Sequence, residues 1–207
     1  MKKETLKWVV LPLGGFLVFL LVIKFLFERR VALYINACTK AFGKLDALQK
    51  ESIEEIIRAF DKYGDKDPNK LAYILATARH ESNFRPIEER RASATQVDVY
   101  NQQNEYWSTG YYGRGFVQLT WKGNYSKMSD FLGVNLIDNP HLALDKKYAA
   151  RILVYGMMNG SFSGKKKKLS DYINEQEQDY YNARNTVNGT DRAERIKNYT
   201  LNLQQYL

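Results

Sequence analysis

The chain reads as a mainly α domain with a small β patch, an α+β arrangement, carried behind an apolar N-terminal helix. Three observations predict this. Apolar residues at helical spacing, framed by capping residues and glycines, recur from residue 33 to the end. One stretch, 100–125, breaks that pattern with crowded aromatics and glycines. Residues 8–27 form an apolar run whose only charge is Lys24.

At about 1.5 Å per residue that run is roughly 30 Å long, enough to cross a hydrocarbon core. Lys24 lies near one end, where its long stem can reach the interface. A cleaved signal peptide would have a shorter apolar run with a small-residue cleavage site close behind it. Here Glu28-Arg29-Arg30 follows instead. The expectation is an uncleaved, single-pass transmembrane helix within residues 1–30, embedded in membrane lipid, and a folded domain over 31–207. Lys2, Lys3 and Lys7 on one flank nearly balance Arg29, Arg30, Lys40 and Lys44 on the other. The positive-inside rule therefore leans toward a cytoplasmic C-terminal side, against the wall-facing domain that the function below requires.

Helices are expected over 33–48 and 53–60, the second opened by a Ser52/Glu55 capping box and stopped at Gly64. The stretch 71–89 organises the rest. Asp67-Pro68 supplies a cap and a first-turn proline. Leu71, Ile74, Leu75 and Ala78 define one buried face. The helix should fail between Asn83 and Pro86, because the residue before a proline avoids helical geometry. His80-Glu81 then stands where a buried helix runs out, with Glu88 and Glu89 in the following loop. An acid at such an end is partly desolvated, whereas one in a wetter loop stays ionised. Two acids held apart in this way suit acid/base cleavage of a glycosidic bond. The same residues also fit a charged helix end followed by an exposed run, Glu88-Glu89-Arg90-Arg91.

Between 100 and 125, Tyr100, Tyr106, Trp107, Tyr111, Tyr112, Phe116, Trp121 and Tyr125 alternate with Gly110, Gly113, Gly115 and Gly123. This is turn and short-strand chemistry. Aromatic faces beside polar groups suit sugar rings, as they also suit any core. A helix over 124–132 should end at Gly133. Asp145 should cap a helix over 146–158 that closes at Gly160. Ser170 is expected to cap 171–174, and Asp191 with Glu194 to cap 192–206. Lys165, Lys166, Lys167 and Lys168 form a basic run, read as a solvated loop or as a contact for anionic glycan or lipid.

Net charge is +8, from 31 basic and 23 acidic residues. Half of the excess lies in residues 1–30. A mildly basic remainder fits an anionic partner such as a bacterial wall; no nucleic-acid motif accompanies it. Cys38 is the only cysteine, so no internal disulfide can form. His80-Glu81 lacks the second histidine four residues on that a zinc helix carries. His141, the other histidine, sits in a proline turn. No metal and no cofactor are expected.

At Tyr111 to Trp121, YYGRGFVQLTW, the sequence resembles the glycoside hydrolase family 19 chitinases and the related bacteriophage endolysins. The likeness extends to Ala78-Arg79-His80-Glu81-Ser82, to Tyr112-Gly113-Arg114-Gly115, and to Gln118-Leu119-Thr120 followed by Asn124-Tyr125. It continues through Asn185 to Gly189 and the Arg195 helix. These occur in family order over roughly 33–207, and the order carries the resemblance. The family often has Thr-Gly-Gly after His-Glu; here Ser82-Asn83 stands instead.

The resemblance implies a bilobal, lysozyme-like helical fold with a cleft between its lobes, and inverting cleavage of β-1,4 links. Carried over by position, Glu81 would be the general acid, Glu89 the base that activates water, and Thr120 the hydroxyl that holds that water. Glu88 and Glu105 remain open as the second carboxylate. Inverting geometry would set the pair about 6.5–9.5 Å apart. Gln118, Asn124 and Asn188 would bind sugar, Tyr111, Arg114 and Trp121 would join them from the aromatic motif, and Arg195 would support the acids. The expected function is a membrane-anchored peptidoglycan hydrolase of the endolysin or lysozyme kind. Chitin hydrolysis, and a non-catalytic wall-binding tether, stand as alternatives.

Overall fold

A computed structural model describes residues 13–207. Seven helices run in order: α1 (Leu13–Phe42), α2 (Ala47–Tyr63), α3 (Pro68–Ser82), α4 (Val97–Asn104), α5 (Lys122–Leu132), α6 (Lys146–Asn159) and α7 (Ala193–Gln204). Short 3-10 turns join them, and two strands of two residues each, β1 (Ile87–Glu88) and β2 (Arg114–Gly115), form the β patch.

α3 is the axis. Leu71 through Ala76, together with Ala78, have no exposed surface, and Thr77 is equally buried. The periodicity predicts one buried face; the structure buries them all, because α2, α6 and α7 pack around the helix. Each fully buried Leu or Ile contributes about 2 kcal/mol through water removed from its surface. Asp67 accepts from the Asn69 N–H at 2.8 Å, and Pro68 starts the helix, as its sequence predicts. At the other end Asn83 and Phe84 both take positive φ, 52° and 58°. Their N–H groups return to Arg79 O and Ala78 O, satisfying carbonyls the helix leaves open. Phe84 is thereby turned into the core. A glycine would occupy this conformation freely; two side-chain-bearing residues hold it only because surrounding contacts over-determine it.

Some predicted boundaries move. α1 stops at Phe42, before Gly43, rather than running on to 48. α2 begins with Asp46 and Gln49, which bond reciprocally to each other's backbone, and not at Ser52, which lies buried inside the helix. Its end at Gly64 is as expected. α6 matches its expected frame: Asp145 accepts from the Lys147 and Tyr148 N–H groups, and Gly160 closes the helix at φ 67°. The predicted turn at 171–174 is instead a 3-10 turn, Leu169–Asp171. α7 opens on Arg192 without a side-chain cap, so Asp191 and Glu194 do not frame it.

The transmembrane expectation is overturned. Among the described residues no helix is long and apolar enough to cross a membrane. Within the described residues, the apolar part of α1 from Leu13 to Phe27 is about 22 Å long at 1.5 Å per residue, short of a hydrocarbon core of about 30 Å. Extending it takes in Glu28, Arg29 and Arg30 beyond Lys24. Residues 8–12 of the predicted span lie outside the described residues. The single-pass membrane location falls with it. Downstream, Val31, Tyr34, Ala37 and Cys38 of the same helix are buried in the main core.

That core gathers α1, α2, α3, α6 and α7. A smaller apolar cluster forms around Leu119, Tyr125, Met128, Leu136, Ala143 and Ile152. Val117 and Phe162 pack against both.

Candidate active site

Glu81 sits in the last turn of α3 and lines a cleft of about 300 Å³. Val117 and Phe162 line it too, so the cleft lies where the two apolar clusters meet. Glu81 Oε1 accepts from Arg184 Nη1 at 2.5 Å. Arg184 is 2% exposed, and its Nε donates to Asp191 O at 2.9 Å, which fixes the guanidinium. Glu81 Oε2 accepts no hydrogen bond among the described residues. Burial pushes the neighbouring His80 imidazole below its ordinary value, against the opposing pull of Glu81.

Glu89 follows β1 directly. Antiparallel pairing of Ile87 with Gly115 and Glu88 with Arg114 brings it to Gly113, where its N–H donates to Gly113 O at 2.8 Å. Three donors converge on its carboxylate: Gln103 Nε2 at 2.9 Å, the Tyr106 hydroxyl at 2.7 Å and the Gly113 N–H at 2.8 Å. Burial, reinforced by the bonded Glu89, pushes the Tyr106 hydroxyl far above its ordinary value, so it remains a donor. Glu89 lines a second hollow with Ile87, Glu88, Arg90 and Gln118. Gln118 lines both hollows and so stands between the two acids. A Cβ at Gly113 would lie 2.9 Å from Gln118 Oε1 and 3.1 Å from Glu89 Oε2. Only glycine lets these groups close on the strand.

The cleft wall is a tight fold of 111–121. Arg114 and Leu119 exchange both backbone hydrogen bonds, and Trp121 N–H donates to Tyr111 O at 2.8 Å. Gly115 takes φ 84°, and a Cβ there would meet Ala143 O at 2.8 Å. Gln118 and Trp121 also take positive φ, 52° and 74°, a strained geometry that concentrates at functional sites. The fold presents Gln118, Thr120 and Trp121 to the cleft, joined by Asn124 and Asn188. Thr120 Oγ1 donates to Gln118 O at 2.8 Å, and Asn124 Nδ2 donates to Thr120 O at 2.9 Å. Trp121, 46% exposed, meets Tyr106 edge-on at 5.0 Å, linking the wall to the residue that holds Glu89. On the opposite side, Gly156 of α6 makes room for the Phe162 ring; a Cβ there would lie 1.9 Å from it.

Other predicted residues lie elsewhere. Arg114 is buried and engaged by protein: Nε to Glu88 Oε1 at 2.9 Å, and Nη1 to Gly110 O at 2.9 Å and the Tyr125 hydroxyl at 3.0 Å. Burial pushes that hydroxyl up to about 12, against the pull of Arg114. Arg114 therefore braces the wall, and Glu88 is its ion-pair partner. Tyr111 donates to Ile137 O at 3.1 Å and tilts against Tyr125 within the smaller cluster. Arg195 is exposed on α7, and the arginine on Glu81 is Arg184. Glu105 caps the end of α4 and is exposed. Arg184, Gln103 and Tyr106 hold the two carboxylates and were missed by sequence reasoning. Arg184 directly precedes the Asn185–Gly189 motif, and this adjacency was its one available signal.

The fold is helical and built on two apolar clusters, with a carboxylate on each side of Gln118 where they meet. The chain belongs to glycoside hydrolase family 19, the class I chitinases, whose model matches residues 36–166. The match ends before Arg184, Asn188 and Arg195. Endochitinase WIN8 of Populus trichocarpa is 30% identical over 127 residues, which cover 53% of this chain and 40% of that protein. An Arabidopsis thaliana endochitinase is 31% identical over 86 residues, 41% of this chain and 30% of that one. The chain thus spans less than half the length of either relative. Two solved structures share the fold. A bacterial family 19 chitinase superimposes with TM-score 0.55 at 17% identity, covering 83% of this chain and 93% of its own. Chitinase C from Streptomyces griseus gives 0.56 at 18% identity, covering 83% and 73%.

Proposed function

We propose that the chain hydrolyses β-1,4 links between N-acetylhexosamines of peptidoglycan with inversion at the anomeric carbon. The observation that carries this reading is the pair of carboxylates on either side of Gln118, each held in a fixed orientation by partners of its own. Glu81 gives the proton on Oε2, the oxygen Arg184 leaves free, to the departing sugar oxygen. Water held against Thr120 Oγ1 loses a proton to Glu89 and attacks C1 from the other face as the C1–O bond breaks. Asn124, Asn188 and Gln118 offer amides to the acetamido and hydroxyl groups, and Trp121 offers an apolar face to a sugar ring.

Residues 31–207 are the catalytic unit in this reading, supported by Val31 being the first core residue of α1. The net positive charge supports an anionic wall polymer as substrate. Chitin is the second reading, favoured by the two endochitinase relatives. The deciding experiment incubates wild type and Glu81→Gln with purified bacterial wall and with chitin oligomers, and sizes the end-labelled products. Release of new reducing ends from wall by wild type alone is expected. Release from chitin only would replace the substrate. Wall binding without release would leave a glycan-binding protein.

A further inference from the structure

The cleft does not end at Asn188. Phe162, Val187 and Asn188 also line an adjoining trough of about 670 Å³, walled by Ser163, Gly164, Lys165, Lys167 and Tyr172. The loop carrying the lysines is anchored. Its Lys166 N–H donates to Ser163 O at 2.9 Å, and a Cβ at Gly160 would lie 2.5 Å from the Lys166 carbonyl, so the loop backbone lies directly on the end of α6. Among the described residues neither Lys165 nor Lys167 forms an ion pair. Two lysines without an ion-pair partner thus line a hollow that shares a wall with the cleft of Glu81.

We infer that this trough binds carboxylates carried by the glycan strand, and that Lys165 and Lys167 set the preference for an anionic polymer over a neutral one. The inference rests on the glycosidase reading and names its substrate class. A β-1,4 N-acetylhexosamine strand lying across Glu81 has its continuation in the trough, where a neutral chitin sugar offers no charge. A muramic acid unit without peptide offers its lactyl carboxylate, and one with peptide offers the peptide's own carboxylates. An ammonium group at a wet site contributes little per contact, so the effect is modest, salt-sensitive and selective.

The test pairs binding with turnover. In the Glu81→Gln background, Lys165→Gln with Lys167→Gln is expected to weaken binding of soluble, uncrosslinked peptidoglycan strands about three- to ten-fold at low salt. The ratio to N-acetylglucosamine hexamer should fall accordingly. Lys127→Gln with Lys147→Gln, which removes equal charge outside the trough, should leave that ratio unmoved. In the active background the loss on strands should appear in KM rather than kcat. Amidase removal of the peptides frees lactyl carboxylates that the peptide bond had masked: an effect that persists on such strands shows that a lactyl carboxylate also serves the trough, and one that vanishes assigns the peptide carboxylates alone. Equal losses on both polymers, or none, overturn the inference. Lysine-dependent preference without released reducing ends would instead remove the hydrolase reading alone.

Discussion

Glu81 and Glu89 are fixed by opposite means. Glu81 stands at the end of a buried helix and is held by one charged group, Arg184, from 103 residues away. Glu89 stands beside a two-residue strand and is held by three neutral donors from within 24 residues. A single ionic partner fixes one oxygen and leaves the other available for proton exchange. A ring of neutral donors engages both oxygens and steadies a charge without cancelling it. The contrast fits one carboxyl meant to give up a proton and one meant to take one.

The largest test of that contrast removes each acid. Glu81→Gln and Glu89→Gln should each lower kcat on wall about 10²–10⁴-fold, with far-UV circular dichroism unchanged. A variant of either that keeps wild-type turnover would dissolve the pairing.

Arg184→Met should next expose the difference in energetics. It leaves a mostly buried carboxylate without its counter-charge and should cost about 3 kcal/mol in urea unfolding. Adding Glu81→Gln should recover most of that loss, since the pair is coupled. No recovery would mean that Arg184 acts through Asp191 O instead. On the other side, Tyr106→Phe removes one of three donors to a charge and should cost only about 1.5 kcal/mol. Gly113→Ala should lower kcat more than it lowers stability, because its new methyl displaces Glu89 and Gln118 from the strand.

The smallest effect is the pH dependence of stability. His80 has a folded value below the ordinary 6.5, through burial. The unfolded chain therefore takes up a proton first as pH falls below about 6.5. Stability contributed by neutral His80 is complete above that value and is lost as pH drops toward the folded one. Replacing His80 with Gln should flatten this part of the unfolding profile; an unchanged slope would assign it to other groups.

How much of this could be read beforehand follows the range of the interactions. α6 was legible at both ends, because Asp145 and Gly160 act within a turn of their own position. α2 was misplaced because two box-like pairs, Asp46/Gln49 and Ser52/Glu55, compete locally, and only the break at Gly43 selects the first. Glu81 could be singled out by motif and by the failing helix, whereas Glu89 shared its place with Glu88 and Glu105. Their supports could not: Arg184 depends on a contact across half the chain, and Tyr106 and Gln103 depend on the strand register. The apolar run at 8–27 reads as a membrane span only over its full length; the part within α1, Leu13 to Phe27, is shorter and runs straight into Glu28-Arg29-Arg30.

The meeting of Gly156 and Phe162 carries a consequence for the whole groove. The partition shared by the two hollows is a plug seated in a notch of α6, and one absent methyl group sets how deeply it sits. Filling the notch would push the ring outward and reshape the passage from behind, through a substitution that itself lies outside the groove.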